Sequence, residues 1–107
     1  MDRDYGAIFA GRLEIRPAER SVLVDGRQLV LTVREVQLLT ELAQNAERVM
    51  SRDELLDRVW HRSYDQADRS VDVYVGRLRR KLARALPDRR FIHTHTGIGY
   101  RFSPEGG

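Results

Sequence analysis

The sequence predicts a single α+β domain: a small antiparallel sheet, then three helices, then a closing β-hairpin. Three observations carry that prediction. Apolar residues alternate with polar ones up to about residue 31, switch to helical spacing from Thr32 to Leu86, and return to a strand pattern around Gly97-Ile98-Gly99. The chain has 107 residues, which is one small domain. It has no cysteine, so disulfides, a thiol nucleophile and Cys-ligated zinc are excluded. No apolar run approaches the ~18 residues of a membrane helix.

Residues 1–7 show no pattern and read as a tail or linker remnant, 8–103 as the domain body, and 104–107 as a C-terminal tail. From Ile8 to Leu31 the chain reads as strands. Leu13 and Ile15 alternate with charged neighbours, Val22-Leu23-Val24 is apolar, and Asp25-Gly26 is a two-residue turn signal before Leu29-Val30-Leu31. Thr32-Val33-Arg34-Glu35 fits a capping box opening a helix over about 32–46, with Val36, Leu39, Ala43 and Ala46 on one side. Val49-Met50 is a candidate extended segment. Ser51-Arg52-Asp53-Glu54 is a second capping box, opening a short helix with Leu55, Leu56, Val59 and Trp60. After a polar stretch at 61–67, a third helix is predicted over about 68–86, stopped by Pro87. Residues of about 91–102 form the hairpin, with Thr96, Gly97 and Gly99 at its tip.

Charge is distributed unevenly. The chain carries +3 overall, and of nineteen basic residues only Lys81 is lysine. Eight basic residues and two acids lie between Arg69 and Arg90, so this segment is strongly positive and the remainder mildly acidic. That asymmetry points to a polyanionic partner. On the third helix, Val71, Val75, Leu78, Leu82 and Leu86 form the core stripe. The opposite face holds Arg69, Val73, Arg77, Arg80 and Arg84. The ordinary explanation of a basic helix face is solvation. Two details favour more: carboxylates at i,i+4 spacing are nearly absent, and the apolar, β-branched Val73 sits mid-face. A thymine methyl in a major groove would suit Val73, with Arg77 placed for guanine. A basic helix beside a thin glycine-bearing hairpin is the arrangement of a winged helix-turn-helix.

Other chemistries find no support. His93 and His95 alternate in a strand, but with only His61 besides and no cysteine a metal site is not expected. Gly97-x-Gly99 is followed by no helix and is not a dinucleotide fingerprint. No nucleophile, acid–base pair or cofactor motif emerges, so no enzyme is predicted. A protein-interaction module, its basic face meeting an acidic partner, is the alternative to nucleic-acid binding; salt dependence on duplex DNA separates the two.

Four ordered runs resemble the OmpR/PhoB-type effector domain of bacterial two-component response regulators: Leu31–Leu39, Arg48–Trp60, Asp68–Leu82 and Thr96–Phe102. Together they span about residues 11–102. The resemblance implies a cytoplasmic, sequence-specific duplex-DNA-binding domain that regulates transcription. The recognition helix would lie in the major groove and the wing along the backbone or minor groove. It implies head-to-tail dimers on direct repeats and no cofactor. By family position Ser70, Asp72, Val73 and Arg77 face bases, while Arg52, Trp60, Arg69, Tyr74, Arg79, Thr94 and Tyr100 face phosphates; Arg80, on the same basic face, is grouped with the latter. Loop 61–67 is where the family can touch RNA polymerase. Gly76 and Thr96 stand where some members carry arginine. The receiver domain with its phosphorylated aspartate, and the sensor kinase, lie outside this chain. The chain therefore reads as an excised effector domain or a receiverless relative, the unpatterned start favouring excision.

Overall fold

The structure is a computed structural model describing residues 6–106 apart from Tyr64 and Gln66. Most of the expected tail at 1–7, and two residues of loop 61–67, therefore lie outside the described residues. The first sheet has four antiparallel strands in sequential order: β1 (Ile8–Ala10), β2 (Leu13–Arg16), β3 (Ser21–Val24) and β4 (Arg27–Gln28). Its register pairs Ile8 with Ile15 and Ile15 with Val22, so one face presents Ala10, Leu13, Ile15 and Val22 to the core. Asp25 and Gly26 both have positive φ (53° and 80°), the backbone of a tight two-residue hairpin turn, and Val24 pairs with Arg27 across it. The returning strand is shorter than the sequence pattern implied. Leu29–Leu31 leaves the sheet after a single hydrogen bond from Leu29 N–H to Val22 O (2.8 Å), turning toward the first helix.

Helix α1 (Val33–Gln44) opens with the complete capping box: Thr32 Oγ1 accepts from Glu35 N–H (3.1 Å), and Glu35 Oε1 accepts from Thr32 N–H (2.8 Å). Strand β5 (Val49–Ser51) follows, then α2 (Arg52–Leu55), which continues without a break as a π-helical turn (Leu56–Trp60). At the second box, Ser51 Oγ accepts from Glu54 N–H (3.0 Å), while the Glu54 carboxylate turns to Arg48 and Arg58. Helix α3 (Ser70–Ala85) lies inside the predicted limits. It ends where Leu86 N–H bonds back to Leu82 O (2.8 Å), one residue before Pro87. Val71, Val75, Leu78 and Leu82 are buried as the periodicity required, and Leu86 joins the same core.

The hairpin comprises β6 (Arg89–His95) and β7 (Gly99–Gly106). It is longer than predicted at both ends, so residues 104–106, expected as tail, belong to a strand. Pro104 sits where the β6–β7 register slips by one residue, a bulge that relieves the missing N–H of proline. The larger difference is topological. Strand β5 pairs with β7, giving a three-stranded sheet in the order β5–β7–β6. Met50 stands opposite Tyr100 and Ser51 opposite Gly99. Sequence reading assigned both hairpin glycines to the tip, and only Gly97 does that work, at φ 78° within a turn closed by Ile98 N–H to His95 O (2.9 Å). Gly99 answers a different need: a Cβ there would lie 1.9 Å from the Met50 carbonyl oxygen, so only glycine lets β5 close on β7.

Candidate nucleic-acid interface

The outward face of α3 is built by contrast with its buried stripe. Val73 is 46% exposed between Arg69, Arg77 and Arg80, all exposed. Among the described residues, Arg77, Arg80, Arg84, Arg89 and Arg90 have neither a carboxylate partner nor a side-chain hydrogen bond. Arg77 instead lies over the ring of Tyr74, 5.1 Å from its centroid. Tyr74 meets Trp60 edge-on (5.3 Å between centroids, 75°), and the Arg34 guanidinium covers Trp60 at 5.2 Å while donating to Val59 O (3.0 Å). A cation–aromatic series thus runs from α1 through the end of α2 to α3 and restrains Arg77. The half-buried Trp60 is chiefly packing in this series, the default its apolar neighbours implied.

The start of α3 is tied down differently. Ser70, its first residue, has its N–H held by Asp68 Oδ1 (2.9 Å) and its Oγ by Arg62 (2.9 Å). Asp72 does not project outward as a base-reading residue would. Its carboxylate accepts from Arg52 Nε (2.8 Å) and from the Tyr100 hydroxyl, and Arg69 Nε lies 3.5 Å away. Burial raises the Asp72 pKa, but the hydrogen bonds from Tyr100 and Arg52 and the charges of Arg52 and Arg69 outweigh it, leaving the group below the ordinary aspartate value. The Tyr100 hydroxyl is pushed up, first by burial and then by its bond to Asp72. Expected to face a base and a phosphate, these two groups meet each other in the free protein. Asp72 faces inward because three donors converge on it. The one proton of Tyr100, a residue only 5% exposed, goes to Asp72 rather than outward to a phosphate.

The wing contributes a second cluster. Arg79 donates from Nη2 to Thr94 Oγ1 across the α3–β6 groove, and its guanidinium lies 5.5 Å from the Tyr100 centroid; Arg52 is 5.3 Å from the same ring. Arg79 Nε is buried without a partner. Burial, with the nearby Arg90 charge, lowers the Arg79 pKa. Arg79, Arg89, Arg90, Thr94 and Arg101 line a groove of about 510 Å³ floored by Leu82, Phe91 and Ile92. At the tip, Thr96 and Gly97 are exposed and Ile98 is 60% exposed. His93 meets Ser103 O (2.7 Å) and His95 accepts from Arg101 Nε (3.1 Å), so neither imidazole is placed as a metal ligand; no metal-binding cluster occurs among the described residues.

Sequence reasoning missed one tie. Glu35, 1% exposed, accepts from Lys81 Nζ at 2.8 Å, joining the capping box of α1 to α3. Burial alone would raise its pKa, yet bonds from Lys81 and Thr32 bring it below the usual glutamate value. A buried glutamate in a capping box looks, in sequence, like any other one; only the single lysine of the chain, 46 residues on, hinted at a partner.

Among the described residues no helix is long and apolar enough to cross a membrane. The family model described as "Transcriptional regulatory protein, C terminal" matches residues 26–102. The chain is 40% identical over 100 residues to the transcriptional regulatory protein RstA of Escherichia coli, covering 94% of this chain and 42% of that protein. With the transcriptional regulatory protein TrcR of Mycobacterium tuberculosis the identity is 43% over 101 residues, 92% of this chain and 37% of the relative. The chain thus spans about two fifths of the length of these curated relatives. Among solved structures, the Klebsiella pneumoniae RstA DNA-binding domain in complex with the RstA box superposes with a TM-score of 0.84 at 38% identity, covering 94% of this chain and all of that one. The Escherichia coli CpxR DNA-binding domain gives 0.83 at 30%, over 91% and 95%. Sheet, helix trio and wing, found first in the spacing of apolar residues and then in the coordinates, place the chain in the transcriptional regulatory protein C-terminal family, the winged-helix effector domains of OmpR/PhoB-type response regulators.

Proposed function

We propose that the chain binds duplex DNA sequence-specifically as the effector part of a cytoplasmic transcriptional response regulator, without catalytic activity or cofactor. The carrying observation is the face around Val73: Arg77 and Arg80, without a carboxylate partner among the described residues, flank an exposed apolar side chain on a helix beside a wing. Free guanidiniums need break no internal ion pair to reach phosphates or guanines. Ser70, Val73 and Arg77 are the base-facing residues of this reading, with Val73 apposed to a thymine methyl and Arg77 to guanine. Arg69, Arg79, Arg80 and Thr94 hold phosphates, Arg79 from its place beside Thr94 on the wing. Arg52, Trp60 and Tyr74 lie behind them, where they restrain the contacting groups. Thr96, Gly97 and Ile98 carry the wing tip along the backbone or minor groove. A structural neighbour seen with its own DNA box supports this reading.

The same reading extends to partners. Two copies bind head to tail on direct repeats, loop 61–67 is available to RNA polymerase, and a receiver domain and sensor kinase outside this chain supply the phosphorylation signal. Selection from a random duplex library, followed by titration of the selected site at several salt concentrations, tests the core of it. Expected are a repeated motif and an affinity falling linearly on log–log axes with a slope of several phosphates. Absence of duplex binding at low salt, with binding to an acidic protein surface instead, would replace this reading by the interaction module.

A further inference from the structure

Asp72 stands where three DNA-facing elements meet, yet its carboxylate is turned into the protein. Arg52 begins α2, Tyr100 lies on the central wing strand, and Arg69 precedes α3; all three aim at this one group. The Arg52 and Arg79 guanidiniums both lie over the Tyr100 ring, and Arg79 continues the connection to Thr94 on β6. We infer that Asp72 is a positioning residue: it fixes Arg52 and the wing, through Tyr100, relative to the recognition helix, and so presets the spacing of the phosphate-binding groups instead of reading a base. The inference rests on the DNA-binding reading for its consequences, but the network itself is a property of the free protein.

Three roles for Asp72 predict different signs. A carboxylate that merely sits near DNA repels phosphates, so its neutralisation would tighten binding. A base contact, once removed, would change preference at one base pair. A positioning group, once removed, frees Arg52 and Tyr100, and binding weakens on every duplex alike. The variants are Asp72→Ala, which removes the oxygen that accepts from both Arg52 and Tyr100, and Tyr100→Phe, which removes only the hydroxyl that Asp72 holds. Each is expected to lower affinity for selected and scrambled duplexes by a similar factor, about tenfold, the order of one charge-assisted hydrogen bond. The double variant is expected to lose little more than the worse single one, because both break the same link. The motif selected from a random library stays unchanged.

A second measurement needs no DNA. In the free protein the Arg52 Nε–H should be protected from solvent exchange in arginine-resolved NMR, and Asp72→Ala should abolish that protection while the thermal midpoint stays within a few degrees. Tighter binding by Asp72→Ala, a motif altered at one position, additive losses in the double variant, or an unprotected Arg52 Nε–H would each overturn the inference. If wild type bound no duplex at all, the DNA-binding reading would fall, and the NMR experiment would still decide the network.

Discussion

The arginines of the first sheet and of α1–α2 are mostly matched, whereas those along α3 are not. Arg12 pairs with Asp25, Arg16 with Glu14 and Glu19, Arg48 with Glu54, and Arg58 with Glu41 and Glu54; among the described residues Arg20, Arg27 and Arg34 are the exceptions, Arg34 donating to Val59 O instead. On α3 and the strand after it, Arg77, Arg80, Arg84, Arg89 and Arg90 lack any such partner among the described residues. Composition treats all these residues alike. The difference lies in where the carboxylates were placed, and it separates charge used to shape a surface from charge left available to a ligand. Where α3 does carry an acid, at Asp72, it is drawn inward.

Substitutions can break that contrast from either side. The largest expected effect is on stability, at the Lys81–Glu35 pair, whose carboxylate is buried. Glu35→Ala removes half a capping box and strands the Lys81 ammonium, and about 3 kcal/mol should be lost in denaturant unfolding, the low end for a buried pair because Lys81 still reaches solvent. The same pair sets an acid limit. Glu35 is held below its ordinary value of 4.5 in the folded state. Its contribution is therefore complete above that value and lost as the pH falls through it toward the folded pKa; unfolding curves between pH 6 and pH 3 should show the loss, and Glu35→Gln should flatten it.

Next in size is Arg77→Ala, expected to cost about 1–3 kcal/mol of binding on the selected site and to relax one base position, with stability unchanged. A uniform loss on all duplexes would make Arg77 a phosphate contact. Arg80→Ala should weaken binding evenly and lower the salt slope by about one. A selective loss there would move it among the base readers. Smallest of all is Arg12→Ala. Its pair with Asp25 is exposed, and neither unfolding nor DNA titration should register the change. A binding defect at Arg12 would erase the distinction between the two regions.

Much of the fold was legible because its signals are local. The Thr32–Glu35 box, the Asp25-Gly26 turn and the stripe from Val71 to Leu82 each declare themselves within a few residues, and each was found in place. Val73 was also legible, since an apolar residue on a charged face contradicts its surroundings. What stayed hidden depends on residues far apart in the chain. Strand β5 is three residues long and gains its meaning only from β7, some fifty residues later. Gly99 read as a turn glycine because its real neighbour, the Met50 carbonyl, is not its neighbour in sequence. Asp72 read as an outward residue because helical periodicity gives a direction for the side chain's base and says nothing of donors arriving from α2 and the wing.

The central position of β7 sets an order of events. It lies between β5 and β6 in the sheet but follows both along the chain. As the polypeptide leaves the ribosome, β5 has no strand to join until the final one emerges. The α2–α3 unit is thus synthesised in full before the sheet that fixes it can close. Until then β5 is an open edge, able to accept a strand from another chain. Short length and a serine at its end, with Arg52 following at once, keep that edge a poor template for aggregation during the wait.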